Sequence, residues 1–313
     1  MTTAFLFPGQ GAQTIGMGRD LADAYPQARA VFEAVDEALG ERLSALIWEG
    51  EIETLTLTRN AQPALMATSM AAMAALKSEG VEVTDAAFVA GHSLGEYSAL
   101  CAAGALRLED TARLLRLRGD AMQAAVPAGE GAMAAILGLD LDAVEALVEE
   151  AAGTQVCAAA NDNDPAQVVV SGHAAAVARA VEAAQARGAK RAVILPVSAP
   201  FHCALMQPAA DAMAGALAEV EIVAPSVPLV ANVTARPETA PAAIREQLIA
   251  QVTGRVRWRE SVIFMAEHGV TETWEIGAGK ALSGMVRRID RALATRTLGS
   301  AGDLRAAAAA RAG

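Results

Sequence analysis

Short apolar runs rich in β-branched or aromatic residues alternate along this chain with longer stretches of helical spacing. Thr3 to Phe7 predicts a strand, and Leu21 to Leu39 and Pro63 to Glu79 predict helices. Ala86 to Ala90 predicts a second strand, followed by helices at Leu94 to Gly104 and Asp110 to Ala125. Toward the far end, Val227 to Val233, Thr271 to Ile276 and Ala294 to Leu298 read as strands. Pro241 to Gln251, Trp258 to His268 and Lys280 to Ile289 read as helices. Strands alternating with helices imply an α/β fold with a mainly parallel sheet covered on both faces.

The middle breaks this rhythm. Ala132 to Leu137 reads as a strand, Leu141 to Ala152 as a helix and Gln155 to Ala160 as a strand. A turn is expected at Asn161-Asp162-Asn163-Asp164-Pro165. The strand Gln167 to Ser171, the helix His173 to Arg187 and the strand Arg191 to Pro196 follow. The order β-α-β-β-α-β is the ferredoxin-like motif. It predicts a small subdomain over residues 129–197, inserted into a larger unit made of residues 1–128 and 198–313. A cleft between two such units is a usual place for a ligand. The alanine-rich tail, Ala301 to Gly313, reads as peripheral.

Composition narrows the class. Of 313 residues 53% are hydrophobic and 19% charged, enough to bury a sizeable core. No apolar run approaches the ~18 residues of a membrane span, and the N-terminus, with no basic segment before its apolar run, reads as a strand and not a signal peptide. Cys101, Cys157 and Cys203 are far apart and fit reduced thiols of a cytoplasmic protein, with no metal-ligand spacing. A net charge of −11 argues against nucleic acid as a partner. Lys190-Arg191 and Arg287-Arg288 are local basic pairs that an acidic partner could use, or ordinary solvated surface.

Gly91-His92-Ser93-Leu94-Gly95 carries the most chemistry. It is a Gly-x-Ser-x-Gly pentapeptide between a predicted strand and a predicted helix, the context of a nucleophile elbow. There the serine hydroxyl stands at the tip of a sharp turn, with following amides free to hold an oxyanion. The plain alternative is a tight turn with a bystander serine. A serine nucleophile needs a base, and four histidines are available: His92, His173, His202 and His268. His92 abuts Ser93, but in an elbow the two side chains diverge. His173 opens a helix, and His268 sits where another ends and favours that terminus as a cation. His202 follows Ser198-Ala199-Pro200-Phe201, where the chain returns from the insert and faces the cleft, so it is the candidate base. Asp162 and Asp164 lie between Ser93 and His202 in sequence, but turn chemistry accounts for them. A dyad with the imidazole held by a main-chain carbonyl is the alternative to a triad.

Two glycine-rich loops remain. In Phe7-Pro8-Gly9-Gln10-Gly11-Ala12-Gln13 the glycines let backbone approach a ligand, and Gln10 offers an amide donor. No Gly-Lys-Ser/Thr follows, so it is no phosphate loop. Gly277-Ala278-Gly279-Lys280-Ala281 mimics one, but Trp274 and Ala281 stand where a glycine and a hydroxyl are needed.

Together these segments resemble the malonyl-CoA:acyl carrier protein transacylase family of fatty acid synthesis. The resemblance covers almost the whole chain. It rests on Phe7-Pro8-Gly9-Gln10-Gly11, Gln62-Pro63-Ala64, Gly91 to Tyr97, Leu117-Arg118-Gly119, Gly131 to Ala135 and Pro200-Phe201-His202, with weaker support from Asn232-Val233 and Gly277 to Lys280. It implies an α/β-hydrolase-like core with a ferredoxin-like insert. It implies Ser93 as nucleophile, His202 as base, the amides of Gln10 and Leu94 as oxyanion hole, and Arg118 as the residue that binds the malonyl carboxylate. A guanidinium offers a planar fork to such a group. It further implies that the Gln251 carbonyl orients the histidine and that His92 lines the pocket. Phe201, bulky beside the histidine, would disfavour a branched methylmalonyl group. The reaction implied is ping-pong transfer of malonyl from CoA to the phosphopantetheine thiol of acyl carrier protein, with no metal or redox cofactor. The carrier is acidic, so Lys190, Arg191, Arg287 and Arg288 become docking candidates. A monomeric cytoplasmic enzyme is expected. Still open are a serine hydrolase that releases acyl groups to water, a malonyl transferase of polyketide or malonate metabolism, and a silent binding module.

Overall fold

A computed structural model describes residues 2–197 and 199–312. Met1, Gly313 and Ser198, where the larger unit was expected to resume, lie outside the described residues. The strands are β1 (Thr3–Phe7), β2 (Ala86–Gly91), β3 (Gly131–Leu137), β4 (Cys157–Asp164), β5 (Gln167–His173), β6 (Arg191–Ile194), β7 (Leu229–Val230), β8 (Pro237–Glu238), β9 (Glu272–Ile276) and β10 (Ala294–Leu298). They form a six-stranded sheet in the order β10-β9-β1-β2-β7-β8 and a four-stranded sheet in the order β4-β5-β3-β6. The first is parallel except for β8, and every pairing in the second is antiparallel. The protein is therefore mixed α/β with a parallel sheet and a separate antiparallel one.

Period-two alternation decides how the large sheet is covered. In β1, Phe5 and Phe7 enter one apolar cluster with Val89, Trp274 and Ile276. Ala4 and Leu6 enter the opposite one with Ala90, Val230 and Trp258. All five residues of β1 are buried, as a central strand covered on both faces requires. In the small sheet Ala134 and Ile136 of β3 pack on the helices Leu141–Ala152 and Ala174–Ala186. Met133 and Ala135, pointing the other way, join the main core and roof the cavity described below. Each buried Leu, Phe or Met side chain contributes ~1.5–3 kcal/mol to this association.

Several expected elements differ, each for a local reason. The helix read over Leu21 to Leu39 is two, Arg19–Ala24 and Pro26–Leu39. Pro26 disfavours helix at the preceding residue, and Tyr25 is extended at φ −130°. The helix expected from Pro63 begins at Thr58 and runs to Ser78, with Pro63 inside it. The carbonyl of Arg59, which an N–H at position 63 would have satisfied, instead accepts from Arg116 at 2.7 Å. The strand expected over Val227 to Val233 is only β7, two residues long. The turn expected at Asn161 to Pro165 is strand as far as Asp164, with Pro165 and Ala166 alone between β4 and β5. Turn chemistry accounts for Asp164 in part, its Oδ1 accepting from the Ala166 N–H at 3.0 Å, but not for Asp162. Both are buried, and they pair with Arg259 (2.9 Å) and Arg288 (2.7 Å). Those ion pairs pin the edge of the small sheet to the helices Trp258–Glu267 and Ala281–Ile289. The tail is not peripheral. Ala301–Ala312 is a helix that buries Leu304 and Ala307, and Ser300 and Asp303 cap its start reciprocally. Among the described residues no helix is long and apolar enough to cross a membrane.

Candidate active site

Strand β2 ends at Gly91 and the next helix is Gly95–Ala102, so the chain reverses over the three residues between them, His92, Ser93 and Leu94. Ser93 sits at φ 53°, a left-handed conformation that costs a residue with a side chain of order 1–3 kcal/mol. The flanking glycines are steric necessities. A methyl at Gly91 would strike the carbonyl of Gly95, and one at Gly95 would strike the carbonyl oxygen of Phe7. Asn232, just past β7, holds the bend. Its Oδ1 accepts from the Ser93 N–H at 2.8 Å and its Nδ2 donates to the Gly91 carbonyl at 2.7 Å. A methyl at Gly9 would come within 2.7 Å of the His92 carbonyl oxygen, so that glycine keeps the N-terminal loop against the elbow.

Ser93 Oγ lies 2.8 Å from Nε2 of His202. The other imidazole nitrogen, Nδ1, is 2.9 Å from the Gln251 carbonyl and 3.1 Å from that of Gly254. Carbonyls only accept, so Nδ1 carries the proton and Nε2 presents its lone pair to the serine. No carboxylate among the described residues hydrogen-bonds this imidazole. Burial, reinforced by the nearby Arg118 charge, pulls the His202 pKa down to about 3, so it is neutral at physiological pH. His202 too is left-handed, at φ 58°, in the loop returning from the small sheet.

Arg118, on the helix Leu108–Ala124, is fully buried. Its guanidinium donates to Gln62 Oε1 (2.8 Å), Gln251 Oε1 (2.8 Å) and Ser93 Oγ (3.2 Å). The Tyr97 ring lies 5.7 Å from its Cζ. Gln251 therefore serves twice: its main chain holds the imidazole and its side chain the guanidinium. Ser93, His202 and Arg118 open into one cavity of about 380 Å³, walled by Gln10, His92, Leu94 and Phe201 from the large sheet's side and by Met133 and Ala135 from the small sheet. The main-chain N–H groups of Gln10 and Leu94 have no acceptor among the described residues, and both residues line the cavity. The Gln10 side chain points elsewhere, donating to Thr58 Oγ1 at 3.2 Å. His92 turns away from Ser93. Its Nε2 is 2.8 Å from Asn163 Oδ1 on β4, and its ring lies on Trp258. A serine activated by a neutral imidazole, two free amides and a buried cation beside them can transfer an acyl group that carries a negative charge.

The comparisons agree with that chemistry. The family described as "Acyl transferase domain" matches residues 4–293. The chain belongs to the acyl transferase domain family. It is similar to the malonyl CoA-acyl carrier protein transacylase of Bacillus subtilis (strain 168), 48% identical over 293 residues that cover 93% of this chain and 92% of the relative. Among solved structures, the acyl-carrier-protein-S-malonyltransferase from Bartonella henselae has a TM-score of 0.98 at 55% identity, covering 100% of both chains. A malonyl-transacylase solved in complex with its type II PKS acyl carrier protein has a TM-score of 0.96 at 42% identity, covering 99% of this chain and 100% of that one.

The four surface cations named from sequence are spread around this acyl transferase. None lines the cavity. Arg287 and Arg288 lie on the helix Ala281–Ile289, whose Ala281, Leu282 and Met285 do line it. Arg288 is engaged by Asp164, and Arg287 donates to Thr295 at 2.8 Å. Lys190 and Arg191 stand at the start of β6, at the far end from Leu195 and Pro196, which reach the cavity. Sequence reasoning missed Asn232 as the brace of the elbow, Glu96 beneath it, Gln62 behind Arg118, and Asn163 across from His92. For Asn232 the signals were a polar residue inside an expected apolar strand and its place in the weaker part of the resemblance, and neither gives its role. Glu96 reads as an ordinary first-turn acid. Among the described residues no group of three or more His, Cys, Asp or Glu is placed to hold a metal ion.

Proposed function

We propose that this acyl transferase moves a malonyl group from CoA to the phosphopantetheine thiol of acyl carrier protein through a malonyl-Ser93 intermediate. The observation that carries the reading is the pair of contacts on one atom: Ser93 Oγ lies 2.8 Å from the His202 base and 3.2 Å from the Arg118 guanidinium. A buried cation beside a serine nucleophile suits an acyl group that ends in its own carboxylate, and a neutral acyl chain has no use for it.

His202 Nε2 takes the Ser93 proton as the oxygen attacks the thioester carbonyl. The oxyanion forms against the Leu94 and Gln10 amides, and loss of one such donor typically costs ~10²–10³ in rate. His202 returns the proton to the departing CoA sulfur, leaving malonyl-Ser93. The carrier thiol then enters, gives its proton to the same nitrogen and attacks the ester. The second tetrahedral oxyanion collapses, and Ser93 leaves with the proton. Throughout, the Arg118 fork pairs with the malonyl carboxylate and fixes the reacting carbonyl over Oγ. The Gln251 carbonyl keeps the imidazole in the tautomer each step needs. Phe201 and His92 bound the acyl pocket, and Phe201 opposes a branch at the α-carbon.

In this reading the core is α/β-hydrolase-like, formed by residues 1–128 and 198–313. Residues 129–197 are a ferredoxin-like small subdomain that roofs the site. The acidic carrier approaches the cavity mouth, with Arg287 and Arg288 nearest it and Lys190 and Arg191 further out. Incubation with malonyl-CoA, with and without phosphopantetheinylated carrier, tests the function. Malonyl-carrier should form, with little free malonate when carrier is absent. Release of malonate at the transfer rate would instead make the protein a hydrolase.

A further inference from the structure

Glu96, the second residue of the helix that follows the elbow, is fully buried and has no part in the steps above. Its Oε2 accepts from Gln251 Nε2 at 2.6 Å and from the Asn232 N–H at 3.4 Å. Its Oε1 is buried with no hydrogen-bond partner. The same Gln251 amide accepts from Arg118 at 2.8 Å through its other end. One side-chain amide thus bridges a buried carboxylate and a buried guanidinium. The groups that face Glu96 are Arg118, from Leu108–Ala124; Gln251, from Pro241–Thr253; Asn232, after β7; and Tyr97, its neighbour on the helix. Arg118 is the cation among them. The site's imidazoles, His92 and His202, are both held neutral by burial. With the cavity empty, Arg118 and an ionised Glu96 cancel. A malonyl carboxylate on Arg118 would leave two anions sharing one buried cation, an arrangement that favours protonation of one of them. The malonyl group is held by direct contact, whereas Glu96 acts through Gln251 and has a bare oxygen, so Glu96 is the one to take the proton.

We propose that Glu96 is a proton-linked counter-ion to Arg118, a positioning residue whose protonation a carboxylate-bearing acyl group favours: where the empty cavity leaves Glu96 ionised, binding takes one proton from solvent onto Oε1. No substrate bond changes in this step. The inference rests on the malonyl reading of the site. Burial lifts Glu96 to about 7, which brings the exchange into the physiological range. Malonyl use therefore weakens as pH rises, and use of a neutral acyl group does not.

The test is kcat/KM for malonyl-CoA and acetyl-CoA from pH 6 to 9, in the wild type and in Glu96→Gln, whose amide cannot ionise. The malonyl value should fall about tenfold between pH 8 and 9 in the wild type, as the protonated fraction does. The acetyl profile should stay level, and the malonyl decline should vanish in Glu96→Gln. Identical profiles for the two donors in the wild type would overturn the linkage, and that comparison stands even if the variant does not fold. A malonyl decline that persists in Glu96→Gln would overturn it too. Mass spectrometry of the wild type with malonyl-CoA from pH 6 to 9 tells failure of the linkage from failure of the malonyl reading. Malonylated Ser93 with no donor-dependent pH profile removes the linkage alone. No malonylation at any pH removes the malonyl reading beneath it.

Discussion

Replacing Arg118 with alanine takes away the cation 3.2 Å from Ser93 Oγ and leaves a bound malonyl carboxylate buried without a partner. Breaking a buried charge pair from one side costs about 3–5 kcal/mol. At 1.36 kcal/mol per decade, kcat/KM for malonyl-CoA should fall by roughly two to four orders of magnitude. Acetyl-CoA carries no carboxylate, so its value should change by less than about tenfold. The substitution also strips a donor from Gln62 Oε1 and from Gln251 Oε1, at about 1–3 kcal/mol for each acceptor left unpaired. Thermal unfolding must therefore be recorded beside the kinetics, and both donors assayed well below the variant's Tm. Arg118→Lys, which keeps the charge but not the planar fork, should fall between wild type and alanine on malonyl. Equal losses on malonyl and acetyl in a folded Arg118→Ala protein would overturn the carboxylate-binding role of Arg118, because the residue would then serve the site's architecture and not its substrate's charge.

His202 has its pKa lowered to about 3, so the base stays unprotonated far below the ordinary imidazole range, and kcat/KM for acetyl-CoA should be level from pH 8 down to 5; a break near 6.5 in the pH profile would contradict the buried neutral imidazole. Asn232→Ala removes both braces of the left-handed turn at Ser93 and should lower kcat by about 10–10²-fold with a small drop in Tm, consistent with a misplaced nucleophile; unchanged kcat in steady-state assays would show that the bend holds itself. Phe201→Ser should raise methylmalonyl-CoA use relative to malonyl-CoA by up to about 10–200-fold, the worth of one methyl in a fitted pocket, read from competition between the two donors; an unaltered ratio would move the steric gate elsewhere.

Much of the site was legible because its steric demands are written in residue types. A serine forced to φ 53° needs glycines on both sides where other backbone crowds in, and Gly91 and Gly95 stand there. The alternation of Phe5 and Phe7 against Ala4 and Leu6 likewise announces a strand covered on both faces. What escaped depends on contacts between distant segments. Asn161-Asp162-Asn163-Asp164 looks like a turn by local propensity, but arginines from two other helices pair with the aspartates and His92 with Asn163, and these contacts hold the segment as strand. Pro63 looked like a helix start until Arg116 supplied the missing partner for the Arg59 carbonyl. The alanine-rich tail has weak local signals apart from its Ser300–Asp303 cap, and only packing shows that Leu304 and Ala307 belong to the core. The helix Gln207–Ala218 was missed because alanine fills both its buried and its exposed positions and blurs its stripe.

In the proposed reaction Ser93, deprotonated by His202, carries the acyl group between two thiols. Mass spectrometry of the protein quenched after mixing with malonyl-CoA, with no carrier present, tests it most directly. One malonyl group per chain should appear on the peptide that contains Ser93. It should be absent from Ser93→Ala and form about 10²–10⁴-fold more slowly in His202→Ala. Full labelling of Ser93→Ala, or a malonyl group mapped to any other residue, would contradict the claim.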